Sequence, residues 1–209
     1  MNREQLAHVL RAASGIVDDP DILVIGSQSL LASYDEDELP LAATTSMEVD
    51  LAYFDDADDL KADTVDGAIG ELSPFHESFG YYAQGVSVRT AVLPNGWRDH
   101  VIHWSSNSTG RAHAVFLEPH DCVVAKLVAR REKDRAFTQT LLQARLIDIT
   151  TLRSRIDTLP AEVDPPHHAP ATVLARRTEA AITPTSQVNR SRRGDSNPEP
   201  TAYKTPSLR

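Results

Sequence analysis

The sequence predicts an α+β fold: a mixed sheet within residues 22–118, a helical part over 119–159, and a mostly disordered tail over 160–209. Three observations predict it. The apolar run "ILVIG", residues 22–26, is too short for a helix and stops at a turn signal. The segment "SMEVDLAYF" alternates Met47, Val49, Leu51 and Tyr53 against Glu48, Asp50 and Ala52, the period of a half-buried strand. From Pro119 onward apolar residues recur at helical spacing, until Pro, Ser, Thr and Arg dominate beyond Leu159.

Taken in order, "MNREQLAHVLRAASG" is an amphipathic helix with Leu6, Val9, Leu10 and Ala13 on one side, and it lacks the continuous apolar core of a signal peptide. After the breaker "DDPD" comes the first strand, then "SQSLLASY" as a helix start and "YDEDELPLAATT" as an acidic loop that either covers a site or lengthens a connection. The strand of Glu48 and Asp50 follows. "DDADDLKADTVDGAIGEL" reads as a helix entered through acidic residues, which suit a helix N-terminus. A third strand is expected over residues 86–93, ended by Pro94-Asn95-Gly96, and two short ones in "RDHVIHW" and "HAVFLE". "PHDCVVAKLVARREKDRAFTQTLLQARLID" is expected to be helical, with "ITTLRSRIDTL" a second amphipathic helix. The tail is too poor in apolar residues to offset its ordering entropy, apart from a short helical pattern over residues 172–182.

Composition narrows the classes. A chain of 209 residues, 41% hydrophobic, supports one well-buried domain, expected over 1–159, and holds no apolar stretch of the roughly 18 residues a membrane span needs. A cytoplasmic location is the expectation. Cys122 is the one cysteine, so no internal disulfide or multi-cysteine metal cluster can form. The net charge of −9 is unevenly spread, with 6 Lys/Arg against 21 Asp/Glu up to Asp121 and 15 against 9 after it. Such asymmetry suits either solvated faces or a basic half that meets an anion.

Three groups of residues could carry chemistry. Gly26-Ser27, after a strand and before a helix, is either an N-capped turn or a place where backbone amides and a hydroxyl hold phosphate oxygens. Glu48 and Asp50, two apart on one strand face, lie roughly 6 to 7 Å apart, which at an effective dielectric near 20 means a repulsion of about 2 to 3 kcal/mol. A solvated edge would dissipate it; a divalent cation such as Mg²⁺ would use it. Lys126, Arg130 and Asp134 recur at helical spacing with Arg131, Lys133 and Arg135 around them, either as an ordinary ion-paired stripe or as a clamp for a triphosphate. The eight histidines show no ligand spacing, and no P-loop or Rossmann fingerprint is present.

The order of these features resembles the nucleotidyltransferase superfamily with the polymerase-beta-like fold. Within it, "IGSQSLLASY…LP…SMEVDLAYFDD", "GELSPFH", "FGYYAQGV", "LPNGW" and "PHDCVVAKLVARREKDRAF" resemble the DUF6036 nucleotidyltransferases, relatives of the AbiEii and MenT toxins of toxin–antitoxin systems. The resemblance implies nucleotide binding by Gly26, Ser27, Lys126, Arg130 and Asp134, metal binding by Glu48 and Asp50, and catalysis by Asp50, Glu48 and Lys126. It implies Mg²⁺ as cofactor, an NTP as substrate, an acceptor hydroxyl at the 3′ end of transfer RNA, and a cognate antitoxin as partner. Glu48 stands where Asp is commoner, and the expected third strand "VSVRTAVL" lacks the further carboxylate of many members. An acceptor on a protein or small molecule, or an inactive interaction module of the same fold, are the alternative readings.

Overall fold

The computed structural model describes residues 1–163; the expected tail and its short helical pattern lie outside the described residues. Helix α1 (Arg3–Ile16) buries Leu6, Val9, Leu10 and Ala13 as its periodicity predicts, and Asn2 and Gln5 form a reciprocal capping box at its start. Five short strands follow: β1 (Asp21–Ile25), β2 (Glu48–Tyr53), β3 (Tyr82–Gly85), β4 (Ile102–Trp104) and β5 (His113–Phe116). They form one mixed sheet in the order β3-β2-β1-β5-β4, with β1–β2 and β4–β5 antiparallel and β1–β5 and β2–β3 parallel. The expected mixed sheet is therefore present, in a nucleotidyltransferase-like arrangement.

One face of the sheet is covered by helices. Ile22, Val24, Val49, Leu51 and Phe116 point into a core shared with α1, α3 (Leu60–Ile69), α5 (Pro119–Ala129), α6 (Glu132–Gln143) and α7 (Ile149–Asp157). The opposite face carries Leu23, Ile25, Ala52, Val115 and Leu117, partly overlaid by Val86, Val88, Ala91, Leu93 and Trp97 of a strap between β3 and β4. Strand alternation sends Glu48 and Asp50 to this second, thinly covered face.

Four expectations are corrected. "SQSLLASY" is a 3-10 helix, Ser27–Ala32, because the Ser29 amide and hydroxyl both bond the Gly26 carbonyl. The third strand is Tyr82–Gly85 rather than 86–93; the Val86 amide makes one last bond to Leu51, and Ser87 then turns the chain into a 3-10 turn, Val88–Thr90. The alternating valines of that segment pack across the sheet instead of extending it. The long helix after Pro119 breaks at Arg130, which takes a left-handed conformation (φ 62°), and restarts at Glu132. The short α2 (Leu41–Thr44) and α4 (Pro74–Phe79) are additional; α4 carries the signature Ser73 N-cap, Pro74 and left-handed Gly80.

None of the described residues of the acidic loop lines the cleft at Glu48 and Asp50. Arg3 holds it through Asp35 and the Tyr34 carbonyl, while the Tyr34 hydroxyl donates to the Leu146 carbonyl between α6 and α7. At α3 the acidic entry has a definite use: Asp56 accepts the amides of Lys61 and Ala62.

β3 is pressed so closely on α3 that a Cβ on Gly85 would run into the Ala62 carbonyl. Gly85→Ala is expected to lower the urea-unfolding free energy by about 1 to 3 kcal/mol, an overpacking cost, whereas Gly67→Ala, with open space around it, should not.

Candidate active site

Pairing of β1 with β2 puts Ile25 opposite Asp50, so the turn that ends β1 meets the acidic face of β2. At that turn Gly26 has φ 74°, a conformation only glycine adopts freely, and a Cβ there would collide with Asp50 Oδ2. The Gly26 carbonyl accepts from the Ser29 hydroxyl (2.8 Å) and the Cys122 thiol (3.0 Å), which ties the turn to α5. Cys122 is thus buried, with its thiol in contact with the turn.

Glu48 and Asp50 stand side by side on this face. Burial first, then the neighbouring Glu48 charge, push the Asp50 carboxyl up to about 6, with a hydrogen bond between the two acids acting in the same direction and Lys126 and Arg131 opposing. From the adjacent strand β3, the Tyr82 hydroxyl donates to Glu48 Oε2 (3.0 Å), and burial followed by that bond raises the phenol to about 12. Parallel register sets Tyr82 beside Glu48 and Gln84 beside Asp50. The position next to Asp50 on the third strand is therefore an amide, with its side chain at the rim of the cleft.

The opposite wall is basic. Lys126 Nζ lies 3.5 Å from Asp134 Oδ1 and 4.7 Å from the centre of the Phe137 ring, and Arg131 Nε donates to Asp134 Oδ2 (2.7 Å). Asp134 is 2% exposed, so it anchors the two cations from beneath rather than facing the opening. Between the walls is a cleft of about 630 Å³, lined by Gly26, Ser27, Glu48, Asp50, Gln84, Lys126, Arg131, Lys133 and Asp134 among others.

Of the residues singled out in sequence, Gly26, Ser27, Glu48, Asp50, Lys126 and Asp134 meet in this cleft. Arg130 does not line it. Its left-handed backbone ends α5, so the expected Arg130–Asp134 pair is replaced by Arg131–Asp134, and Arg130 Nε and Nη2 are buried without a hydrogen-bond partner among the described residues. Gln84 and the bond of Tyr82 to Glu48 are what the sequence reasoning missed, and Arg131 and Lys133, named there only as flanking the stripe, line the cleft. Tyr82 and Gln84 could have been found by starting the third strand at "YAQG"; nothing in "ARRE" marks the helix break.

The acids fit a divalent cation: two adjacent carboxylates, one of them raised by burial and repulsion, gain most from a shared positive charge. Among the described residues no third His, Cys, Asp or Glu joins them in a complete ligand group, so further ligands would come from substrate oxygens or water. Among the described residues no helix is long and apolar enough to cross a membrane.

A mixed sheet whose first strand ends in Gly-Ser, whose second carries paired acids and whose following helices bring cations to them defines a protein of nucleotidyltransferase-like fold. The chain belongs to the DUF6036 family, described as a nucleotidyltransferase of unknown function, whose model matches residues 4–177. No curated protein and no solved structure matches it.

The raised Asp50 has a consequence for stability. Above pH 6 the folded chain carries this charge at a cost, and between pH 6 and the ordinary value of 3.8 the folded state binds the proton more readily than the unfolded one. Asp50→Asn is therefore expected to stabilise the metal-free protein by about 1 to 3 kcal/mol at pH 7.5, the gain fading as pH falls towards 4, read by urea unfolding at each pH.

Proposed function

We propose that the protein transfers a nucleoside monophosphate from an NTP to an acceptor hydroxyl with release of pyrophosphate. The observation that carries this reading is the pairing, across one cleft, of two crowded carboxylates with Lys126, Arg131 and Lys133. Ser27, Lys126, Arg131 and Lys133 hold the phosphate oxygens, the two arginine and lysine cations nearest Asp134 being pre-set by that buried carboxylate. Mg²⁺, held by Glu48 and Asp50, would neutralise charge on the triphosphate.

In the transfer, the acceptor oxygen bonds to the α-phosphorus as the bond from that phosphorus to the bridging oxygen breaks. The hydroxyl proton passes to a carboxylate, and Asp50, which lines the cleft against the Gly26 turn, is the one placed to receive it. The electron pair of the broken bond leaves with pyrophosphate, whose charge Lys126 and Arg131 stabilise. Tyr82 fixes the Glu48 carboxylate by its hydrogen bond and leaves the other oxygen free to bind.

The acceptor in this reading is RNA, in its finer form the 3′ end of transfer RNA, with an antitoxin as partner if the protein is a toxin. The cluster of Lys and Arg over residues 126–135, of which Lys126, Arg131 and Lys133 line the cleft, supports a polyanionic acceptor.

Incubation with each labelled NTP, Mg²⁺ and total cellular RNA should give ribonuclease-sensitive incorporation that falls with rising salt. Asp50→Asn should abolish it, Arg131→Ala should lower it by about 10², and Arg130→Ala should leave it within a few fold. Incorporation unchanged in Asp50→Asn overturns the assignment.

A further inference from the structure

The same sheet face continues past the acidic pair. Following the alternation of β2 from Asp50 through Ala52 leads to Phe54, about 13 Å along the strand direction from Asp50. Phe54 is 42% exposed and borders a second cleft of about 560 Å³, together with Asp55, His103 and Trp104. Beside Phe54, at the end of the strap that also walls the first cleft, the 3-10 turn Trp97–Asp99 brings in Trp97 and Arg98. The Phe54 and Trp97 rings are within 11° of parallel with centroids 6.5 Å apart, so the two form one pair of similarly oriented aromatic faces. The Arg98 guanidinium lies over both, 4.8 Å from the Trp97 ring centre and 5.8 Å from the Phe54 ring centre, with no carboxylate partner among the described residues.

We propose that Phe54, Trp97 and Arg98 form a subsite for a base of a single-stranded RNA acceptor. The base stacks on this aromatic pair and its phosphate lies on Arg98. Aromatic faces that stack on bases are the common means of holding single strands, and arginine adds to them both as a flat cation and as a phosphate ligand. The carboxylates of the neighbouring cleft fit the edge of the base rather than its backbone. Asp19 is held by Lys61 (2.8 Å), and Asp55, next to Phe54 in the chain, lines the same cleft and accepts from an exocyclic amino group. The subsite therefore favours adenine, cytosine or guanine over uracil. It deepens the reading of the first cleft and rests on an RNA acceptor there.

Trp104→Phe leaves Trp97 as the sole tryptophan of the chain and a fluorescent probe of the subsite. In that background, hexamers of riboadenylate and ribocytidylate should quench Trp97 saturably, and hexauridylate more weakly. Phe54→Leu, which keeps apolar volume without a flat face, and Arg98→Ala should each weaken quenching by roughly tenfold, as loss of one stacking or phosphate contact implies; an unchanged urea midpoint confirms that each variant is folded. No saturable quenching, equal quenching by AMP, or hexamer binding unaffected by Phe54→Leu overturns the subsite. Transfer to RNA with an acceptor KM unaffected by Phe54→Leu also overturns it, while the function of the first cleft stands. Quenching without any transfer to RNA overturns the function instead, and leaves a base-binding surface.

Discussion

The site depends on one close approach: the Asp50 carboxylate lies against the backbone of Gly26, at a point where no side chain fits. That approach follows from the β1–β2 register, which places Ile25 opposite Asp50 and lets the chain leave β1 just as it passes the acid. The turn is in turn pinned by Ser29 and by Cys122 from α5. A strand end, a strand face and the helix that brings Lys126 are thereby locked to a single carbonyl and a single glycine. Crowding two carboxylates here costs free energy. The apolar contacts of Val49 and Leu51 on the other face of β2 hold the strand in place despite it.

Charge is divided between the two kinds of secondary structure. Strands supply the acids, and the junction of α5 with α6 supplies the cations. The left-handed Arg130 makes that junction: it ends α5 after Lys126 and sends Arg131 and Lys133 to the cleft, while Asp134 is buried between Lys126 and Arg131. Burying one carboxylate under two cations keeps both long side chains near one place before any phosphate arrives, so less conformational entropy is lost on binding. Acids from before Asp121 thus meet Lys126, Arg131 and Lys133 from after it at the cleft.

Much of this was legible in the sequence where local pattern and tertiary role agree. The period of α1, the alternation of β2, the apolar run of β1 and the amphipathic α7 all appear where the residues place them, and Gly26, Ser27, Glu48, Asp50 and Lys126 converge. The rest was not legible because tertiary contacts overrode local preference. An arginine in the left-handed region has no sequence signal, so a continuous stripe put Arg130 where Arg131 stands. The valines after Gly85 alternate like a strand but serve as a cover over the sheet, and the true β3 is only four residues long. Tyr82 and Gln84 acquire their meaning from register with Glu48 and Asp50, a relation that no single-strand pattern contains.

The central claim is that the paired acids bind nucleotide through a divalent cation. Calorimetric titration with non-hydrolysable analogues of the four NTPs, with Mg²⁺ and with chelator, tests it most directly. The account predicts tight binding of at least one analogue with Mg²⁺, a marked loss in chelator, and weak, metal-independent binding in Glu48→Gln and Asp50→Asn. Binding of equal strength with and without the cation, or unaltered in both variants, would contradict it.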